Sequence, residues 1–394
     1  MNVGRARLSL PSALASLWLS ASAAPAQAPP PTLVHTTAEL RQALAKATPG
    51  TQLQLAPGDY DGFTAHDLQG TAPAPIVVRA ADPRRPPVVR GGIQLSDCAH
   101  FELDGLHVEG APQNGLNLDD GGTFATPSHH VVLRNLVVRD GGGRGNHDGI
   151  KLSGVVDFEV VGCTIERWGR GGSGIDMVGC QRGLLRDCTL RDRADGAAAN
   201  GVQMKGGSRD ITVRSCRFDH AGERAVQLGG STGLAWFRPS PAGFEAKDLV
   251  VEGCTFVGST APIAFVGCDG AIVRHNTLYR PGKWMLRILQ ETREAGFVPC
   301  RDGVFTDNLI VWDGLDASVN VGPDTAPDTF RFARNHWFRL DAPDRSAPRL
   351  PTPEAEPNPT AAPRFVDAAA GDLRQRADSP TLATGADSLP RRDR

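Results

Sequence analysis

Beyond its first twenty residues the chain has no long apolar run, and its net charge of −2 leaves no excess of either sign. The first absence excludes a membrane-crossing helix in the body of the chain, since a bilayer needs ~20 consecutive apolar residues. The second removes any chain-wide basic signal for nucleic acid or an anionic membrane, so an acidic partner would have to be met locally. There is no CxxC pair of the kind that opens many metal sites. Helical periodicity is also missing from roughly residue 95 to residue 312.

That region instead shows strand-type alternation of apolar and polar residues, repeated many times. The clearest unit runs from Asn200 to Gly230, with strands at Gly201–Lys205, Ile211–Arg214 and Arg224–Leu228. Its first strand recurs as Asp148–Gly154, Ser173–Gly179, Asn200–Gly206, Arg224–Gly230 and Ala261–Gly267, with weaker copies at Asn114–Asp119 and Trp284–Leu289. A second column runs through Asn135, Cys163, Cys188, Cys216, Cys254, Asn276 and Asn308, spaced by subtraction at 28, 25, 28, 38, 22 and 32 residues. Repeats of this length built from short strands are the mark of a solenoid, which lengthens without needing a new core. The expected fold is all-β, a single-domain right-handed parallel β-helix with coils ~4.8 Å apart.

With its glycine corners and its inward Asn column, the chain resembles the pectate-lyase-like β-helix superfamily. The column is similar to that superfamily's asparagine ladder, partly rewritten with cysteine. The order of a helix, then PGTQLQLAPGDY, then GTAPAPIVVRA resembles the N-terminus of polysaccharide lyases of the chondroitinase B and alginate lyase type.

Residues 1–26 read as a secretory signal, with Arg5 and Arg7, an apolar Leu8–Leu19 run and a small-residue cleavage site at Ala24-Pro25-Ala26. The protein is therefore expected to be secreted or periplasmic. Thr36-Thr37-Ala38-Glu39 forms a capping box before Leu40, Ala43, Leu44 and Ala47, predicting a short helix that covers the open first coil. The β-helix with this cap is expected over residues 32–340, and residues 341–394 as a loop-rich segment that closes it. No oligomerisation signal stands out, so a monomer is expected. The column cysteines Cys163, Cys188, Cys216 and Cys254 read as buried thiols, with a ladder disulfide as the alternative.

The outward positions of the recurring first strand form two rows. One is Asn117, Lys151, Asp176, Gln203, Gln227, Ala264, Arg287; the other is Asp119, Ser153, Val178, Lys205, Gly229, Val266, Leu289. Lys151 beside Asp176 has the simple reading of a cross-strand ion pair. Lys205 has Val178 and Gly229 as row neighbours, neither able to pair with it, and Asp176 only diagonally. A lysine over such a floor can have its pKa lowered and serve as a general base; the plainer alternative is a solvated lysine.

The resemblance implies a carbohydrate groove on this sheet and β-elimination on a uronate polymer, with Lys205 as base, a neutralising Arg from the next coil and Ca²⁺. The implied Arg position falls at Leu228-Gly229, so Arg224, or Arg287 further along, would take its part. His147 is an alternative base or carboxylate neutraliser. Candidate Ca²⁺ ligands are Asp148, Asp176 and Asn200. Lys151, Gln203, Gln227 and Arg287 would bind substrate, as would Trp236 and Arg238 on an insertion from Ser231 to Phe244. The partner expected is an acidic polysaccharide. A glycoside hydrolase, a C5-epimerase and a non-catalytic carbohydrate-binding β-helix stay open; the paired-Asp and Gly-His-Gly patterns of polygalacturonase β-helices are not seen.

Overall fold

The computed structural model describes residues 30–192, 199–315 and 319–390; residues 1–26, where a secretory signal is expected, lie outside the described residues. The α-helix Thr37–Leu44 begins as expected: Thr36 Oγ1 accepts from Glu39 N at 3.2 Å. The reciprocal bond of the box shifts by one residue, because Glu39 Oε2 accepts from His35 N at 2.7 Å. Leu40 and Leu44 are buried, and the helix packs on the strand Asp59–His66 at the open end of the solenoid.

Coil after coil then stacks in parallel register, giving three faces around one narrow core. The first face carries Leu116–Asp119, Ile150–Ser153, Ser173–Val178, Asn200–Lys205, Arg224–Gly229, Ala261–Val266 and Leu286–Leu289. The second is a 12-stranded sheet that includes Ala99–Asp104, Ser128–Arg134 and Val155–Val161. The third is built from three-residue strands such as Arg217–Asp219. An antiparallel pair, Phe365–Asp367 with Asp372–Gln375, departs from the parallel rule near the C-terminus. The segment after residue 341 lies back along the solenoid: Gly385 N donates to Asp307 O at 2.9 Å, and Leu389 is buried.

The corner between the second and third faces corrects one reading. A residue with left-handed φ ends each second-face strand (Asn135 at 52°, Gly162 at 62°, Asp187 at 56°, Ser215 at 52°, Gly253 at 63°), and the next residue turns inward. The buried column is therefore Leu136, Cys163, Cys188, Cys216, Cys254, Asn276, Asn308 and Asn335. Asn135 is one residue out of that column. It is exposed in the corner, where asparagine tolerates φ above zero, and its side chain reaches Asp104 Oδ1 at 2.9 Å.

All eight cysteines are free and buried. Burial pushes the Cys98 and Cys180 thiols up to about 12, so they behave as small apolar fillers. Where the column changes to asparagine, each side chain accepts a backbone N–H from the coil before. Cys254 N reaches Asn276 Oδ1 at 2.9 Å, Asn276 N reaches Asn308 Oδ1 at 2.9 Å, and Asn308 N reaches Asn335 Oδ1 at 3.0 Å. Glu354 ends the series by accepting from Asn335 N at 2.9 Å. Asn308→Ala would orphan the Asn276 amide and the Val273 carbonyl inside a dry core. A loss of about 3 kcal/mol is expected in denaturant unfolding; a variant within 0.5 kcal/mol of wild type, on the order of a neutral surface change, would show that the ladder bonds are not needed.

Candidate functional site

Both outward rows are the observed registers. Lys151 lies opposite Asn117 and Asp176, Gln203 opposite Asp176 and Gln227, Arg287 opposite Ala264, and Lys205 opposite Val178. Though these positions point away from the core, Asp176, Gln203 and Gln227 are buried, with the long side chains of Lys151, Lys205 and Arg224 bonded to them in turn.

The centre is a network of two lysines and two carboxylates. Lys151 Nζ donates to Asp176 Oδ2 and stands 3.5 Å from Asp148 Oδ2. Lys205 Nζ donates to Gln203 Oε1 at 3.1 Å and lies 3.7 Å from Asp176 Oδ1. The diagonal reach to Asp176 is thus short enough for an ion pair, which corrects the expectation that Lys205 stands without a partner. Asn200 Nδ2 supports Gln203 Oε1 at 3.3 Å, and Asp148 Oδ1 accepts from Ser173 N at 2.7 Å.

Burial, and next the Asp176 charge, push the Asp148 carboxyl up to about 6; Lys151 opposes them. For Lys151 burial pulls the pKa down, but Asp176 and Asp148 together outweigh it and hold the ammonium above its ordinary value. The Asp148 displacement has a sign. The folded state holds this proton more tightly than the unfolded chain, so ionising Asp148 costs stability as pH rises from about 4 to about 6. Asp148→Asn should remove that cost. Its stability relative to wild type should climb by up to about 3 kcal/mol across this window and level off above it. A flat difference between the two unfolding curves would contradict the buried placement of Asp148.

The inserted loop builds a wall over this network. Glu245, fully buried, accepts from Gly206 N at 2.9 Å and from Thr232 N and Oγ1 at 2.8 Å, and also from Thr292 Oγ1. Phe237 is buried and meets the Phe297 ring edge-on at 5.5 Å. Arg238 then crosses back over the strand ends to Asp120, Nε to Oδ2 at 2.8 Å. A Cβ on Gly179 would lie 2.2 Å from the Arg238 Cβ, so glycine is needed under that crossing. The result is a cavity of about 350 Å³ lined by Lys151, Lys205, Arg238, Trp236, Asn146, Ser153 and Thr232, among others. Among its described lining residues there is no carboxylate.

The other expected site residues fall elsewhere. Arg224 lies opposite Asn200, five residues before Lys205 and so about 16 Å along the strand. It is held by Glu291 at 2.8 Å and bonded to Gln227. Arg287 stacks over Trp284 at 4.2 Å and donates to Asn320 at 2.9 Å. Arg238 is the arginine that joins the two lysines. His147 is half-buried among the turns around Gly142 and Gly169, and its neighbour Asn146 lines the cavity instead. Sequence reasoning misses Asn146 and Glu245, and a buried glutamate just past an insertion leaves no periodic signal. The proposed Ca²⁺ ligands fit poorly: Ca²⁺ takes about six to eight oxygens, whereas Asp148 and Asp176 already face the Lys151 ammonium, and Asn200 turns its Nδ2 to Ser173 and Gln203.

Residues 91–278 match a family model described as "Right handed beta helix region". No curated protein matches the chain. Among solved structures, an alginate lyase from Paenibacillus sp. str. FPU-7 aligns with a TM-score of 0.50 at 20% identity, over 83% of this chain and 97% of that one. Pectate lyase Pel9A aligns with a TM-score of 0.53 at 15% identity, over 88% and 85%. A GH136 lacto-N-biosidase from Eubacterium ramulus aligns with a TM-score of 0.51 at 14% identity, over 79% and 62%. Lyases and a glycosidase on one scaffold leave the chemistry to the site. The chain is a right-handed parallel β-helix, the fold it shares with these pectate-lyase-like proteins.

Proposed function

We propose that the cavity over Lys151 and Lys205 takes a uronate unit of an acidic polysaccharide and cleaves the polymer by β-elimination, after export directed by residues 1–26. The observation that carries this reading is that Lys151, Lys205 and Arg238 line one cavity whose described lining holds no carboxylate. Lys151 and Arg238 neutralise the substrate carboxylate, which makes the C5 proton removable. Lys205 is the base that takes that proton. The C5–H electrons form the C4=C5 double bond as the C4–O bond breaks, and the Lys205 ammonium returns the proton to the leaving oxygen. Trp236, 66% exposed at the cavity mouth, offers a face for a neighbouring sugar ring.

A glycoside hydrolase would need two carboxylates reaching the substrate. Asp148 and Asp176 lie beneath the lysines and outside the cavity lining. The test is ultraviolet absorbance of unsaturated uronate over a panel of alginates, pectates and glycosaminoglycans, with Ca²⁺ and with chelator. A rise on one polymer is expected. No rise on any, with inverted C5 stereochemistry in the recovered polymer, would replace the lyase by an epimerase; polymer bound but unchanged would leave a binding protein.

A further inference from the structure

Three histidines gather on the second face, away from the lysine cavity. His100 and His130 occupy the same position on successive coils, since their neighbours pair as Ala99 with His129 and Phe101 with Val131. Both sit in left-handed backbone, φ 46° and 52°, so both rings project from the same corner. The rings stack at 4.5 Å between centroids and 26° between planes. His129 meets them edge-on, 5.4 Å from His100 and 5.1 Å from His130. One ligand nitrogen from each ring lies within 4.8 Å of the others, and Nδ1 of His129 stands 2.9 Å from Nδ1 of His130.

We propose that His100, His129 and His130 bind a divalent first-row transition ion of the zinc type, with the fourth coordination position open. Two facing imidazole nitrogens can share one proton between them, and a second proton there is repelled. An ion takes the place of that proton and uses all three lone pairs. Zinc–nitrogen bonds of about 2.0–2.1 Å put ligand nitrogens about 3.3 Å apart in a tetrahedron; the three nitrogens, now within 4.8 Å of one another, would draw together on the ion as the stacked His100 and His130 rings turn apart. The donor set is imidazole alone, which suits zinc, copper and nickel and excludes calcium and magnesium. The nearest charged column neighbours are Asp157 and Arg182, and these hold each other through two bonds, 2.7 and 2.9 Å. His100 and His130 also line an open groove of about 600 Å³ with Phe101, Glu102, Asp157, Phe158 and Glu159, so an ion held there can be reached by a further donor.

The test uses the untagged, chelator-treated full chain and ZnCl₂ alone as probe. Calorimetry at pH 7.5 should show one Zn²⁺ per chain, and Co²⁺ should give visible bands of a low-coordinate imidazole site. His130→Ala and His129→Ala should each weaken Zn²⁺ at least about 100-fold. His220→Ala, an exposed histidine paired with Asp219, should bind as wild type does. Zn²⁺ should also raise the unfolding midpoint of wild type by mass action and not that of His130→Ala, which separates loss of the site from loss of the fold. Equal Zn²⁺ affinity in wild type and His130→Ala, or no Zn²⁺ uptake by wild type, would overturn the proposal.

Discussion

Lys205→Ala should lower kcat on the responsive polymer by about 10³-fold, within the range of losing a general base, with KM changed far less. Lys205 is the lysine of the cavity with the weaker hold on carboxylate: it reaches Asp176 at 3.7 Å, whereas Lys151 is bonded to Asp176 directly and also lies 3.5 Å from Asp148. The double attachment, together with its raised pKa, keeps Lys151 charged and suits it to hold a carboxylate. Lys205→Arg separates charge from proton transfer, because guanidinium does not deprotonate in proteins. If Lys205→Arg restored activity, Lys205 would be a charge and not a base. If Lys205→Ala kept wild-type kcat, the base would have to be sought elsewhere. Stability should hardly move, since Asp176 keeps Lys151 as its partner.

The periodic part of this architecture was open to reading from the chain alone. Alternation and glycine corners place Lys151 against Asp176 and Lys205 against Val178, because one slipped residue would turn every apolar side chain outward. The slip at Asn135 shows where that logic weakens. Asparagine suits both the left-handed corner and the inward ladder, and only the neighbouring Leu136, fully buried, decides between them. Arg238 was visible as a basic residue on a loop, but its partner Asp120 is 118 residues away. No repeat spacing encodes the path of an insertion. Glu245 is similar: it joins the Gly206 amide at a strand end to the Thr232 amide of the loop, a pairing that exists only once the loop has folded. The histidine trio is split between His100 and the pair His129-His130, on a face that alternation marks only as strand.

Asp176→Asn should cost about 2–3 kcal/mol in denaturant unfolding and disable catalysis together with it. Removing one member of a buried ion pair costs about 3–5 kcal/mol when its partner is left fully buried. Here the partners keep some contact with water, 19% exposure for the Lys151 side chain and 16% for Lys205, so each ammonium can turn partly outward and the loss is smaller. That same movement takes both amines from the positions that line the cavity, so kcat falls although no group touching the substrate has been changed. The carboxyl beside them reports on the rearrangement. The Asp176 charge is the second largest cause holding Asp148 up at about 6. Without it Asp148 should titrate lower and become the counter-ion of Lys151. The double variant Asp148→Asn with Asp176→Asn should then be less stable than the sum of the two single effects predicts, because each single variant leaves Lys151 one carboxylate. Additive effects, or an Asp148 titration unmoved by Asp176→Asn, would show that the two carboxylates act on the lysines independently.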